Sequence, residues 1–345
     1  MTSINYSDKN VEIQGKQPLS YDKLLIASGV RNKIPPIKGL SQVSYHSLRN
    51  KQDYLEINKA LREPGVKNVT IIGGGFIGME IASSIRLGLK DLNVTVLEGQ
   101  STPLRHVLGD KVGKVLQNLS EKNGVKIVTN AKITEIQGSG KVEGVSLDGK
   151  NIPTDVLIIA TGVEPALDFV SGIDRVEGGL KTDVFLQTNQ PDVYAAGDIA
   201  QFPSYITEAR ERIEHWAVAQ QQGRVAALNM VEKRNNYFDI PFFWSNQFIN
   251  VSCAGFTNGH DWTFTETKDE DTPMKTARIT YFYKGEACIG AAAVNWPGAI
   301  IRLKIALRKG LMPSKKDLTS KKANYATIAE RVNKSNRCCG GCGKR

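Results

Sequence analysis

The chain has 345 residues, 41% apolar and 23% charged, with a formal net charge of +10. That length allows two or three domains with proper cores, and the composition is ordinary for a water-soluble globular protein. No apolar run approaches the ~20 residues of a membrane span. Nine Lys or Arg against two Asp or Glu fall after residue 312, so the body is close to neutral and does not read as a nucleic-acid-binding fold.

The opening, MTSINYSDKN, lacks the basic start and apolar segment of a secretory signal. With no arginine and an Asp8 it is also a poor transit peptide. The five cysteines are Cys253, Cys288, Cys338, Cys339 and Cys342, three of them in the last eight residues. That pattern is no disulfide framework, and a reducing compartment, cytoplasmic or mitochondrial, fits it.

The first ordered stretch is VEIQGKQPLSYDKLLIASG, residues 11 to 29. It reads as an alternating strand, a glycine turn and a continuous apolar strand of the kind buried in parallel sheets. The run ends at Ser28 and Gly29, where a missing Cβ lets the backbone turn sharply and approach a ligand.

Next comes KNVTIIGGGFIGMEIASSIRLGLKDLNVTVLEG. Its pattern predicts a strand over 69–72, a glycine loop, an amphipathic helix over about 76–87 and a second strand over 94–97. The loop is Gly73-x-Gly75-x-x-Gly78, and Glu98 closes the second strand 20 residues after Gly78. This is the dinucleotide fingerprint in its required setting. Gly73 makes the turn, Gly75 admits the pyrophosphate, Gly78 packs helix on strand, and Glu98 accepts from ribose hydroxyls. A glycine loop without a ligand is the bland alternative. An acid at position 98 would repel a 2′-phosphate, which favours NAD over NADP.

After an antiparallel piece around Gly138-Ser139-Gly140, the first stretch is repeated as VSLDGKNIPTDVLIIATG, ending at Thr161 and Gly162. In this second copy the glycine loop begins 89 residues before Gly162. The same spacing measured back from Gly29 falls sixty residues ahead of Met1. The first copy is therefore expected to be the back half of a nucleotide-binding domain whose front half is not in this sequence.

Downstream lie YAAGDIAQFP, then RIEHW leading into a helix over 217–231, then PFFWSNQ. On the residues alone, Gly197-Asp198 is either a carboxylate beside a cleared space or a helix N-cap pair. His215 reads as a satisfied histidine at a helix start, Trp244 as a core tryptophan, and Glu80 as a solvated helix residue. Short strands in VSCAG, ARITYFYKG and ACIGAAAVN, then the basic helix AIIRLKIALRKG, predict an α+β unit.

Together YDKLLIASG, VTIIGGGFIGMEIA, TDVLIIATGVEPALDF, TNQPDVYAAGDIAQFP, RIEHWAVAQQQGRVAALNM and PFFWSNQF resemble the FAD- and NAD-dependent two-dinucleotide reductases of the pyridine nucleotide-disulfide oxidoreductase type. The resemblance runs from residue 11 to about 312. Within that superfamily it points to the ferredoxin and rubredoxin reductases and the apoptosis-inducing-factor-like branch. It implies an α/β fold of two nested Rossmann-type domains, N-terminally truncated, with a C-terminal α+β domain. The implied flavin domain is split between 1–65 and 164–237, the NAD domain is 66–163, the C-terminal domain 238–312, and 313–345 a basic flexible tail. It further implies Asp198, beside Gly197, on the flavin's ribityl hydroxyls. Glu214 and His215 would lie at the flavin and nicotinamide rings, Trp244 beside the isoalloxazine, and Glu80 near the nicotinamide.

No CxxC or CxxxxC accompanies either nucleotide half, so a dithiol relay is not expected. The resemblance then implies hydride transfer from NADH to FAD and single electrons to a ferredoxin-like or rubredoxin-like protein. The alternative is a truncated or degenerate relative that binds NAD without redox catalysis. A terminal zinc site or palmitoylated cysteines in RCCGGCGKR, and nucleic-acid association of the tail, are the weaker readings, since no fourth ligand or nucleic-acid motif accompanies them.

Overall fold

A computed structural model describes residues 1–268 and 277–338. Four short apolar runs form a four-stranded parallel sheet in the order Val156–Ile159, Asn68–Ile72, Asn93–Leu97, Val125–Val128. Both faces are covered, as continuous apolar strands require. Val69, Ile71, Val94, Val96 and Ile158 face one core with helices α1 (Lys51–Ala60) and α2 (Phe76–Gly88). Ile72, Leu97, Leu157 and Ile159 face the other, under the antiparallel strands Ile133–Ser139, Lys141–Leu147 and Lys150–Pro153.

The two copies of the repeated stretch fare differently. Val156–Ile159 is buried throughout, whereas in Leu24–Ile26 only Ile26 is. The second strand pairs with Asn68–Ile72 inside a full sheet, while Leu24–Ile26 pairs in parallel with Val193–Ala195 in a two-stranded sheet. Val156–Ile159 also has one ladder partner, but the segment at His46 bonds along its free edge and both its faces pack into cores.

Helix α3 (Arg105–Lys122, interrupted at Gly109) and α4 (Trp216–Met230) precede a five-stranded antiparallel sheet. Its order is Phe242–Asn246, Asn250–Gly255, Ala287–Val294, Arg278–Lys284, Trp262–Thr267. Strand alternation divides its side chains between two layers. Val251, Cys253, Phe282 and Ala292 pack on Leu104, Leu108, Val112 and Leu116 at the α3 side. Ile279, Tyr281, Tyr283 and Ala293 pack on α5 (Pro297–Arg308), α6 (Lys315–Thr319) and α7 (Tyr325–Cys338).

The flexible tail expected from residue 313 is overturned as far as residue 338. Leu318, Ala323, Ile328 and Val332 are buried in the core of the C-terminal sheet. The Glu266 carboxylate accepts the Tyr325 backbone N–H at the start of α7, and the Tyr281 hydroxyl. Of the lysines that made this stretch look like a solvated terminus, Lys315 and Lys316 lie on α6, Lys334 on α7, and Lys321 and Lys322 in the turn between them. The spacing Leu318, Ala323, Ile328, Val332 was outweighed by charge. Cys339 and Cys342 lie outside the described residues.

Truncating Ile328 to alanine should cost about 2–5 kcal/mol, the usual penalty for emptying a buried aliphatic site. The urea unfolding midpoint measures it; a dispensable tail would leave the midpoint unmoved.

Candidate functional site

The glycine loop is shaped by contacts that leave no room for side chains. A Cβ on Gly73 would stand 2.3 Å from the Ala160 carbonyl oxygen, and Gly73 has φ 108°. One on Gly78 would meet the Gly73 carbonyl oxygen at 2.0 Å, which pins α2 against its strand. At Gly75 nothing lies within 4 Å of that position. Gly75 is the N-cap of α2 and supplies no side-chain acceptor. The helix therefore presents first-turn amides to an open space, the arrangement that binds a pyrophosphate.

Glu98 has a task the pattern did not reveal. Its Oε2 accepts the Gly74 N–H and its Oε1 the Gln100 N–H, both at 2.7 Å. It braces the loop from the second strand, and each oxygen keeps lone-pair capacity for a ribose hydroxyl.

The Asp198 side chain is 13% exposed, and its carboxylate pairs with the Arg49 guanidinium at 3.2 Å. Gly197, at φ 81°, makes the turn, and its N–H donates to the buried Gln222 side chain at 2.8 Å. These residues run into the strand Ala200–Pro203, so the helix N-cap alternative for them is corrected. Arg212 donates to the Asp198 carbonyl at 3.0 Å and to Glu214 Oε1 at 2.5 Å. Ser28 is exposed, and Gly29, at φ 68°, lies under the Arg49 side chain. Thr161 donates to the Lys33 carbonyl and the Gly162 carbonyl accepts the Lys33 N–H, so this pair secures the crossing between sheets.

His215 is the N-cap of α4: its Nδ1 accepts the Ala217 N–H at 3.2 Å. Burial pushes its pKa below the ordinary histidine value, with Asp198 pulling weakly the other way. The accepting Nδ1 requires the same thing, a ring without a proton at that atom. Its ring centroid lies 5.3 Å from Trp244 and 5.7 Å from Phe243. Trp244 is 42% exposed, which corrects its reading as a core tryptophan. It presents a flat apolar wall beside the still more exposed Trp216.

Glu80 is half-buried and not solvated: it accepts the Ser245 hydroxyl at 2.6 Å. One turn earlier on α2, Phe76 meets Phe243 edge-on at 5.2 Å. Glu80 and Arg49 line one cleft of about 510 Å³ between α1 and α2. The fold thus gathers Glu80, His215 and Trp244 about the strand Phe242–Asn246, while the exposed Glu214, next to His215 in the chain, is bonded to Arg212. Gly73, Gly75, Gly78 and Glu98 form the cradle at the parallel sheet, and Asp198 lies beyond Arg49. Arg49, Arg212, Gln222, Phe243 and Ser245 were not singled out in the sequence. Their partners are up to 165 residues away, and no local pattern encodes such pairs. Among the described residues no three His, Cys, Asp or Glu side chains gather as a metal site.

The family model for pyridine nucleotide-disulphide oxidoreductases matches residues 1–223. Apoptosis-inducing factor 3 of Homo sapiens is 30% identical over 326 residues, covering 92% of this chain and 52% of that protein. The ferredoxin–NAD(+) reductase component of the biphenyl dioxygenase system of Paraburkholderia xenovorans is 31% identical over 249 residues, covering 71% and 59%. The chain thus spans about half the length of these curated relatives. A ferredoxin reductase from Rhodopseudomonas palustris superposes with a TM-score of 0.86 at 24% identity, over 95% of this chain and 80% of that one.

Gly78→Ala should destabilise the protein by about 1–3 kcal/mol, since its Cβ overlaps backbone. Gly75→Ala should cost no more than about 1 kcal/mol of stability, through the poorer N-cap, and weaken NAD binding roughly tenfold, about 1.4 kcal/mol, by filling the approach to α2. Calorimetric titration with NAD separates the two. A pH dependence follows from the histidines. Burial lowers the folded-state pKa of both His46 and His215 from 6.5, so the unfolded chain binds more protons just below that value. Their contribution to stability should be complete above pH 6.5 and lost as pH falls through the folded values. His215→Asn keeps a capping acceptor without the titration, so its urea midpoint should fall less between pH 7.5 and pH 5.5.

Proposed function

Because the chain belongs to the pyridine nucleotide-disulphide oxidoreductase family, we propose that it is an NADH-dependent, FAD-linked reductase passing electrons to a ferredoxin-like or rubredoxin-like protein. In this reading residues 66–163 hold NAD, residues 1–65 and 164–237 contribute to a flavin site, and the protein works in the cytoplasm or mitochondria. Among the described residues no helix is long and apolar enough to cross a membrane.

The observation that carries the proposal is the strand Phe242–Asn246. Its Trp244 borders His215, and its Ser245 holds Glu80, so the flavin-side and nicotinamide-side candidates share one edge. The NAD groups fit: an open Gly75, an uncapped helix start and a braced Glu98. The flavin groups fit at one end. Asp198 is poised for sugar hydroxyls, and Trp244 offers a wall for a ring. The sequence holds one Gly-x-Gly-x-x-Gly, already used on the NAD side.

When bound, the nicotinamide and the flavin supply the hydride and single-electron chemistry. The protein's own part is orientation and exclusion of water. Asp198, held by Arg49, fixes the sugar end; neutral His215 and the indole of Trp244 border the ring space without adding charge there. Glu98 selects against a 2′-phosphate.

Purified protein should retain flavin absorption after incubation with FAD and gel filtration, and NADH should bleach it. Asp198→Ala, which removes charge-assisted hydrogen bonds of about 1.5–3 kcal/mol, should weaken flavin retention some 10- to 100-fold. NAD binding by titration without any flavin band would instead support the NAD-binding relative that does no redox chemistry.

A further inference from the structure

We propose that Gln222 is a positioning residue for the flavin's sugar chain: from inside α4 its side-chain carbonyl fixes the Gly197 amide, and with it the turn that presents Asp198. The inference rests on the flavin reading above and deepens it.

Gly197 stands at φ 81°, where a glycine is at ease and backbone sterics do not select one geometry. The turn therefore takes its shape from the bonds made to it. The Gly197 carbonyl accepts the Ala200 N–H at 2.9 Å, and the Asp198 carbonyl accepts from Arg212 at 3.0 Å. The Gly197 N–H donates to Gln222 Oε1 at 2.8 Å, in the protein interior. Asp198 is the next residue, so a rotation about Gly197 would swing its carboxylate. Arg49 does not prevent that swing, because its side chain is long, 45% exposed and able to follow.

Ala219 and Gln222 lie one turn apart on a single face of α4, and both meet Gly197. A Cβ on Gly197 would stand 3.4 Å from the Ala219 Cβ, so the turn already rests on the helix. His215, the N-cap of the same helix, comes seven residues before Gln222, about 10.5 Å along the axis. One helix thus spaces the aromatic wall at His215 and Trp244 from the acid at Asp198.

Gln222 is a costly way to fill a core. It is fully buried, and its Nε2 has no hydrogen-bond partner among the described residues. Neither has the hydroxyl of the buried Tyr237 near it. An aliphatic side chain would pack there without an orphaned donor. What it would not supply is an acceptor for the Gly197 N–H.

The test is titration of the full chain with FAD, followed by flavin fluorescence, and separately with NAD⁺ by calorimetry. Gln222→Met, of similar volume but without the oxygen, should weaken FAD about tenfold, the equivalent of one hydrogen bond, and leave NAD⁺ within about twofold. Gln222→Glu, which keeps an oxygen for the Gly197 N–H, should bind FAD within about threefold of wild type. A double-mutant cycle separates positioning from plain support. If Gln222 acts through Asp198, adding Gln222→Met to Asp198→Ala should weaken FAD by no more than about a further twofold. Should Gln222→Met not fold, hydrogen exchange of the wild-type protein serves: the Gly197 amide should be protected before any flavin is added. Additive losses in the double variant, equal weakening of both ligands, no change in either, or a Gly197 amide that exchanges at the free-peptide rate overturns the proposal and leaves the flavin reading standing. Wild-type protein that binds no FAD overturns both.

Discussion

The contact of Gly78 with the Gly73 carbonyl, at a separation that excludes any Cβ, governs the rest of the molecule. It sets the depth at which α2 meets the parallel sheet. From that depth the first-turn amides face open space, and Glu98 can reach the Gly74 N–H. The same placement carries Phe76 and Glu80 to the C-terminal sheet. A helix displaced outward by one methyl group would loosen all of these together, because a close-packed interior transmits strain.

The C-terminal sheet is the second fixed body. It lies between α3 and the layer of α5, α6 and α7, and buries side chains on both faces. Its first strand, Phe242–Asn246, is one of its two edges. That edge meets α2 through Ser245 and Phe243 and α4 through Trp244. Catalytic geometry in such enzymes demands reacting atoms about 3–3.5 Å apart. A strand anchored in a twice-covered sheet is a stiffer support for that geometry than a loop. The basic helices behind it contribute to the site by holding the sheet in place.

Asp198 shows how charge is managed before any ligand arrives. A nearly buried carboxylate is costly unless paired, and Arg49 supplies the pair from the segment just ahead of α1. Arg212 then ties the Asp198 backbone to Glu214, next to His215. Asp198 and Glu214 are thereby held by two arginines, Arg49 from far away in the sequence and Arg212 from two residues before Glu214.

Local chemistry was legible in the sequence. The glycine spacing, the apolar strand on either side of α2 and the acid at Glu98 announce a nucleotide cradle because each requirement is met within thirty residues. The repeated stretch likewise announced two related halves. What no local pattern could show was which distant groups meet: Ser245 with Glu80, Arg49 with Asp198, His215 with Trp244. Nor could composition show that the lysine-rich stretch after residue 312 folds, since its buried side chains are few and its charge is plain. Short-range pattern determines strands, helices and turns through backbone sterics and periodicity. Pairing across 150 residues depends on how three packed layers close on one another, and only the tertiary structure decides that.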